Sequence, residues 1–212
     1  MATRTAVKTG NWSDSSVWDT GIPGDGDTAK PASFVVTIDG SIDLGEGNLD
    51  CRGQSGYFLV STGGLTITCA NILAGTSNQG AVRFTANAPN TLAIFANVTG
   101  GSGGDAYGVR NNSTGSVTIT GNVTGGGGYI AHGVVNNSTG SMTITGNVTG
   151  GTAAGVHGAY NTSQGILNIY GDVSGGPGTG LESWGARWAN GGSGLIDGDV
   201  AATVYGGGVS VY

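Results

Sequence analysis

Charge is scarce in this 212-residue chain, which has 7 Lys and Arg, 13 Asp and Glu, and a net charge of −6. The basic residues are scattered and form no basic stripe, which excludes the electrostatic footprint of a nucleic-acid-binding domain. No apolar run approaches the roughly 18 residues that a membrane-spanning helix needs. The opening MATRTAVKTG also lacks the apolar core of a secretory signal. The sequence therefore predicts no nucleic acid partner, no membrane insertion and no signal peptide.

Cysteine and histidine are equally rare, with two of each. Cys51 and Cys69 are not in a metal-type spacing, and two buried thiols are favoured over the alternative of a disulfide. Two histidines lack the third or fourth ligand that zinc requires. The sequence thus predicts no metal and no cofactor.

Glycine, by contrast, is abundant at 45 residues and falls at fixed offsets. A near-identical segment begins at Asn97, Asn122 and Asn147, giving a period of 25 residues; the first copy reads NVTGGSGGDAYGVRNNSTGSVTITG. Within a copy the apolar spacing is two, as in Val117 and Ile119, which is typical of a strand. Short strands, glycine corners and a fixed period predict an all-β fold, a right-handed β-helix (β-solenoid). The glycines at the corners are expected to have positive φ.

The apolar columns extend the array to about seven rungs of ~25 residues. One column pair is assigned to Ile38/Ile42, Ile67/Ile72 (with a bulge), Ile94/Val98, Ile119/Val123, Ile144/Val148, Ile169/Val173 and Ile196/Val200. A third column is assigned to Val36, Leu65, Leu92, Val117, Met142 and Leu167. The predicted organisation is an N-terminal cap or attachment segment at 1–34, the β-solenoid at 35–202, and a strand-like tail at 203–212. Trp12 and Trp18 are the predicted lid of the cap.

Polar side chains recur in two columns that we interpret as structural ladders. The first contains Asn97, Asn122 and Asn147, continued by Asp172 and Asp199, and the second contains Asn111, Asn136 and Asn161. Identical stacked amides hydrogen-bond along the axis of cross-β ladders. The outward threonine pairs Thr66/Thr68, Thr118/Thr120 and Thr143/Thr145 are interrupted at Ala93/Phe95 and Asn168/Tyr170, which disfavours ice binding.

An aromatic column precedes one strand: Tyr107, His132, His157 and Trp184. Such rings form a candidate glycan-contact strip, but strand alternation favours an inward, core-filling role. Segments that differ in every copy lie close by, at Ser102–Ala106, Gly127–Ala131, Thr152–Val156 and Pro177–Ser183. They are interpreted as tolerated surface loops, with a binding edge as the alternative.

Carboxylates are scarce in the regular repeats, whereas a glycosidase needs two of them facing one sugar. Glu182 with Asp197, near Trp184 and Arg187, is the best catalytic candidate that the sequence offers. No nucleophile–base pair is recognisable, so the prediction is a protein that is not an enzyme.

The segment GNWSDSSVWDTGIPGDGDTA, followed by VVTIDGSIDLG, resembles the opening of β-helical repeat proteins encoded by tailed bacteriophages. The VTITGNVTGG repeats are similar to the rungs that follow in such proteins. The resemblance implies a virion-associated tail fibre, spike or capsid decoration protein, often a homotrimer, assembled in the host cytoplasm with other virion proteins. The expected function is structural or adhesive, with host surface polysaccharide as a partner. A polysaccharide-degrading β-helix enzyme and a secreted bacterial surface adhesin are the alternatives.

Overall fold

The structure is a computed structural model that describes residues 1–77, 80–85, 91–176, 184–201, 204–205 and 209–211. Within these residues the chain is all-β apart from one short 3-10 helix, Ser15–Val17. The strands are β1 (Thr3–Thr5), β2 (Gly10–Asn11), β3 (Thr28–Lys30), β4 (Val35–Ile38), β5 (Ile42–Asp43), β6 (Asn48–Asp50), β7 (Tyr57–Val60), β8 (Leu65–Leu73), β9 (Val82–Phe84), β10 (Thr91–Thr99), β11 (Val109–Asn111), β12 (Ser116–Thr120), β13 (Val123–Thr124), β14 (Val134–Asn136), β15 (Ser141–Thr145), β16 (Val148–Thr149), β17 (Ala159–Asn161), β18 (Ile166–Tyr170), β19 (Val173–Ser174), β20 (Ala186–Trp188), β21 (Ser193–Asp197), β22 (Val200–Ala201), β23 (Val204–Tyr205) and β24 (Val209–Val211).

These strands form two parallel sheets, one of 15 strands and one of nine. The chain crosses from one sheet to the other and returns one level higher, so strands adjacent in a sheet are about one repeat apart in sequence. Between Val35 and Ala201 it completes seven such turns. The predicted β-solenoid of about seven rungs is confirmed. We call the two walls the long sheet, which contains β8 and β10, and the short sheet, which contains β11, β14, β17 and β20.

The N-terminal segment 1–34, expected to lie outside the repeats, contributes strands to both walls. β1 pairs with β3 in the long sheet, and β2 pairs with β4 in the short sheet. Trp12 and Trp18 are buried in the main core, with ring centroids 4.9 Å apart in an edge-to-face contact. The indole Nε1 of Trp18 donates a hydrogen bond to the Trp12 carbonyl at 3.1 Å. This segment is therefore a further, irregular layer of the stack, and its tryptophans fill the core at that end.

The apolar columns lie in the predicted register through the regular turns. Ile144 pairs with Ile119 on one side and Ile169 on the other, and the Met142 column is equally continuous. A register shift between β8 and β10 confirms the predicted bulge at Ile67/Ile72.

The column assignments in the first turn were wrong. Ile38 and Val36 lie in β4 of the short sheet, opposite Val60 and Phe58. The pair that continues the long-sheet columns is Ile42, opposite Ile67, with Leu49, opposite Ile72. A loop separates these two residues because the long strand is interrupted there. The four-residue spacing of Ile38 and Ile42 is therefore a coincidence of sequence.

Paired glycines turn a corner of each repeat because of close backbone contact, not because of the positive φ that we expected. A Cβ on Gly126 would lie 1.8 Å from the Gly101 carbonyl oxygen, and one on Gly151 would lie 2.0 Å from that of Gly126. Positive φ occurs instead at Gly121 and Gly146, at 144° and 143°, where the long strand is broken. Stacked corners therefore exclude every side chain, which explains why the glycines repeat with the turn.

Both cysteines are free thiols in the core, in agreement with the favoured prediction. Burial raises the pKa of Cys51 to about 12 and that of Cys69 to about 11, so both are neutral thiols at pH 7. In the described part of the chain, no helix has the length and apolar character to cross a membrane.

Candidate binding cavity

The exposed asparagine ladder is held by side-chain oxygens and backbone amides. Asn97 Oδ1 accepts a hydrogen bond from the Asn122 amide at 3.0 Å, and Asn122 Oδ1 accepts from the Asn147 amide at 2.9 Å. The same contact joins Asn147 to Asp172 and Asp172 to Asp199. The expected amide-to-amide bond is therefore not the one that forms in these turns. Because only an acceptor is needed, a carboxylate can replace the amide, as it does at Asp172.

The second ladder is fully buried. Asn111 Nδ2 donates to Asn136 Oδ1 at 3.1 Å, whereas Asn136 and Asn161 donate from Nδ2 to the carbonyls of Gly140 and Gly165. These amides satisfy carbonyl groups of a corner that faces the interior, where an unpaired carbonyl costs about 1–3 kcal/mol. Both ladders are thus part of the framework.

The aromatic column forms a continuous stack, which we call the aromatic stack. Tyr107 and His132 have ring centroids 5.9 Å apart, His132 and His157 are 4.8 Å apart, and His157 and Trp184 are 5.0 Å apart. The ring planes of the last two pairs are nearly parallel, with interplanar angles of 13° and 5°. The faces of the rings therefore contact one another along the solenoid axis, and their edges point sideways.

The prediction that these rings fill the core was wrong. Tyr107, His132 and His157 are buried, but they lie outside the main apolar cluster and line a cavity on the outside of the short sheet. Strand alternation does not apply to them because Gly108 precedes the start of β11, and the chain is not yet a strand at Tyr107. The main core instead receives the inward residues of the short strands, such as Val109 and Ala159.

Hydrogen bonds fix the tautomer of both histidines. The Nδ1 atom of His132 accepts from the His157 amide at 2.8 Å, and the Nδ1 atom of His157 accepts from the Trp184 amide at 3.3 Å. Each neutral ring therefore carries its proton on Nε2. Burial, with the charges of His157 and Arg187, lowers the pKa of His132 to about 3. Burial and Arg187 lower the pKa of His157 to about 4, so both rings are neutral donors at pH 7.

A second column runs beside the aromatic stack on the outward face of the short sheet. Arg110, Val135, Tyr160 and Arg187 are register neighbours in β11, β14, β17 and β20. Tyr160 makes edge-to-face contacts with His132 and His157, both at 5.2 Å. We call these four residues the outer column; it forms the floor of the cavity beside the stack.

The cavity has a volume of about 440 Å³ and is open on one side. Its lining comprises members of the aromatic stack and the outer column, together with Tyr129, Ile130, Asn137, Ala154, Gly155 and Thr162. Tyr129 and Ala154 belong to the segments that differ in every repeat. These two segments therefore border the cavity, and their residues Ala131 and Val156 pack with Ala106 in a separate small apolar cluster.

The two arginines of the outer column differ in their partners. Arg110 forms an ion pair with Asp105 at 3.8 Å and donates to Asn112 Oδ1 at 3.0 Å. Arg187 lies over the rings of Trp184 and Tyr160, with its guanidinium carbon 4.9 Å and 5.1 Å from the two centroids. Its Nε is buried without a hydrogen-bond partner, and among the described residues no carboxylate pairs with it.

Of the two carboxylates proposed from the sequence, Asp197 does not lie at this cavity. Asp197 is exposed in β21 of the long sheet, opposite Tyr170, whereas Trp184 and Arg187 lie at the short sheet. Glu182 and the variable segment 177–183 lie outside the described residues. Among the lining residues that the structure describes there is no Asp or Glu, and the described residues contain no group of three metal-ligating side chains.

Sequence reasoning named the aromatic stack but missed Arg110, Tyr129 and Tyr160, and it cited Arg187 only as a neighbour of the catalytic candidate. A signal for the outer column exists: it lies three residues after the aromatic column in each turn, at the outward position of a three-residue strand. Tyr129 has a weaker signal, as the large residue of a variable segment. Neither sequence pattern predicts a cavity, because the cavity depends on how the variable segments fold over the outer face of the short sheet.

Fold and site together define a parallel β-solenoid with a lateral aromatic cavity that contains one arginine without a carboxylate partner in the described chain. Comparison with protein-family models, curated proteins and solved structures finds no match.

Proposed function

We propose that this protein is a non-enzymatic adhesive module that binds carbohydrate in the cavity beside the aromatic stack. The observation that carries the proposal is the convergence of aromatic residues, uncharged donors and two arginines around about 440 Å³ of open space. Ligand sites are generally concave, with apolar and aromatic walls and a few placed polar groups. Sugars present both apolar C–H surfaces and hydroxyl groups, and this lining is complementary to both.

The contacts available to a sugar follow from the geometry of the rings. Faces inside the aromatic stack are occupied by neighbouring rings, so they are not available for packing against a pyranose. Tyr129, 83% exposed, offers an unobstructed ring at the edge of the cavity. The Nε2–H groups of His132 and His157, with Asn137 and Thr162, supply hydrogen bonds to hydroxyl groups. Tyr129 thus serves as the packing surface, and the stack serves as a rigid set of donors.

The setting we propose is the virion of a tailed bacteriophage, as a tail fibre, spike or capsid decoration protein. The support is the resemblance of the N-terminal segment and the repeats to phage β-helical proteins. A rigid stack of turns suits an appendage that presents a binding surface at a distance from the particle. Assembly in the host cytoplasm with other virion proteins, and host surface polysaccharide as the ligand, belong to the same proposal.

Binding to an array of purified capsular and lipopolysaccharide O-antigen polysaccharides tests the adhesive function. Tyr129→Ala should weaken binding at least about fivefold, since burying an aromatic ring against a ligand contributes on the order of 1–2 kcal/mol. Ile22→Ala is the control, because this large apolar side chain is also exposed but lies in the N-terminal segment, outside the cavity lining. Binding to no polysaccharide, or equal losses in the two variants, would contradict the proposal. Release of reducing ends from a bound polysaccharide would instead favour the enzyme.

We further propose that the protein acts as a homotrimer. Trp12, Trp18 and Trp188 are buried within the chain, so these aromatic side chains near its two ends do not supply a subunit contact. The outward face of the long sheet supports association better, because large apolar side chains are exposed there: Phe95, Ile166 and Tyr170. Light scattering should give three times the chain mass of 20.7 kDa. A mass of one chain at high protein concentration would reject the trimer.

A further inference from the structure

The environment of Arg187 indicates the charge of the carbohydrate that the cavity binds. Its guanidinium is placed against two aromatic rings, Trp184 and Tyr160, at 4.9 Å and 5.1 Å. Rings that cover a guanidinium hold its plane without using its N–H groups, which lie in that plane. Arg187 is therefore oriented by the protein but not neutralised by any carboxylate that the structure describes.

The neighbouring arginine provides an internal comparison. Arg110 occupies the same column and also lines the cavity, but Asp105 is 3.8 Å away and Asn112 accepts a hydrogen bond from its Nε. An arginine that only supports the framework would be expected to have such partners, since an unpaired buried donor costs about 1–3 kcal/mol. The buried Nε of Arg187 lacks one. Among the described residues, the cavity thus combines a cation paired with a carboxylate, Arg110, and a cation without such a partner, Arg187.

We propose that the ligand of this cavity is an acidic saccharide, with its carboxylate bound by Arg187 and its ring hydroxyls bound by the Nε2–H groups of the histidines. This inference rests on the proposed carbohydrate-binding function and specifies its substrate class. A planar guanidinium pairs with a carboxylate through two parallel N–H···O bonds, which gives orientation as well as attraction. One uncompensated positive charge matches one carboxylate, whereas a phosphate dianion would require a second cation.

The overall negative charge of the protein separates specific binding of an acidic saccharide from non-specific ion pairing. With a net charge of −6, the protein as a whole repels an anionic polymer, so non-specific ion pairing does not explain affinity for one. Binding of an acidic saccharide must therefore come from a local positive site. Arg187 is the uncompensated cation of the cavity lining in the described part of the chain.

Calorimetry with two probes of identical backbone tests the inference: tri-galacturonic acid and its fully methyl-esterified form. The wild-type protein should bind the acid at least about tenfold more tightly than the ester. Arg187→Gln should reduce affinity for the acid about tenfold and change affinity for the ester less than twofold. Lys8→Gln is the control, because it removes the same unit of charge from an exposed site in the N-terminal segment, and it should leave both affinities unchanged.

Each outcome has a distinct meaning. Equal wild-type affinities for acid and ester would overturn the carboxylate site and leave carbohydrate binding supported. Binding of neither probe would overturn the carboxylate site and count against the proposed function as well. Equal losses in Arg187→Gln and Lys8→Gln would show a general charge effect and overturn the role of Arg187. If Arg187→Gln fails to fold, the comparison of acid with ester on the wild-type protein still decides the inference.

Discussion

Replacing Ile144 with alanine should destabilise the protein by about 2–5 kcal/mol, the range for deleting a large buried aliphatic side chain. Ile144 is completely buried in β15, between Ile119 and Ile169 of the adjacent turns. Its neighbours are fixed by backbone pairing on both sides, so they cannot easily close the cavity left by the missing atoms. Urea unfolding of the wild type and Ile144→Ala measures the difference.

Thr145→Ala is the matched control because Thr145 is the next residue in the same strand and is exposed on the outward face. Its cost should stay below about 1 kcal/mol, the span of strand propensities. Equal costs at the two positions would mean that the inward and outward faces of β15 are exchanged. That result would contradict the register on which the core assignment depends.

Acidification from pH 7 to pH 5 should remove about 4 kcal/mol of stability through the two stacked histidines. Their folded pKa values, about 3 for His132 and about 4 for His157, are lower than the ordinary value of 6.5. Between pH 6.5 and 4 the unfolded chain therefore takes up protons that the folded chain does not, and unfolding is favoured. Each histidine contributes up to about 2 kcal/mol at pH 5. Stability should be maximal above pH 6.5.

The double variant His132→Asn with His157→Asn tests the cause. Asparagine Oδ1 replaces Nδ1 as the acceptor for the neighbouring amide, and it does not titrate. Urea unfolding of this variant should show almost no change between pH 7 and pH 5. Several aspartates with a lowered pKa, such as Asp27 and Asp50, lose their contribution only as the pH falls through 3.8 and below, so they do not interfere. An equal loss of stability in the wild type and the double variant would show that other groups cause it.

The regular part of the fold could be predicted because each turn repeats the interactions of the one before. In a parallel stack, the residue that fits opposite Ile119 is one like Ile119, so the apolar column repeats every 25 residues and is visible in the sequence. The glycine corners repeat for a similar reason, although the cause is the close approach of stacked backbones, as at Gly126. Self-similarity therefore predicts the fold directly.

Prediction from the sequence was less accurate for turns whose adjacent turns differ from them in sequence. In the first turn, the loop between Ile42 and Leu49 changes the spacing, so Ile38 was assigned to the wrong sheet. The segment 1–34 has its own layer of strands, but its neighbours differ in sequence and leave no periodic signal. Such layers are specified by long-range pairing, which local patterns do not encode.

The sequence by itself determined the β-solenoid, its seven turns and the alignment of the four rings of the aromatic stack. Only the tertiary structure decided that the stack faces a lateral cavity, that Tyr129 and Tyr160 join it, and that Arg187 lacks the carboxylate partner that Arg110 has within the described residues. The physical reason is that a repeat period specifies which residues stack along the axis. The repeat period does not specify whether a column of residues faces the core or the outside, or which residues contact it. Both depend on the conformation of the chain at Gly108 and in the described variable segments.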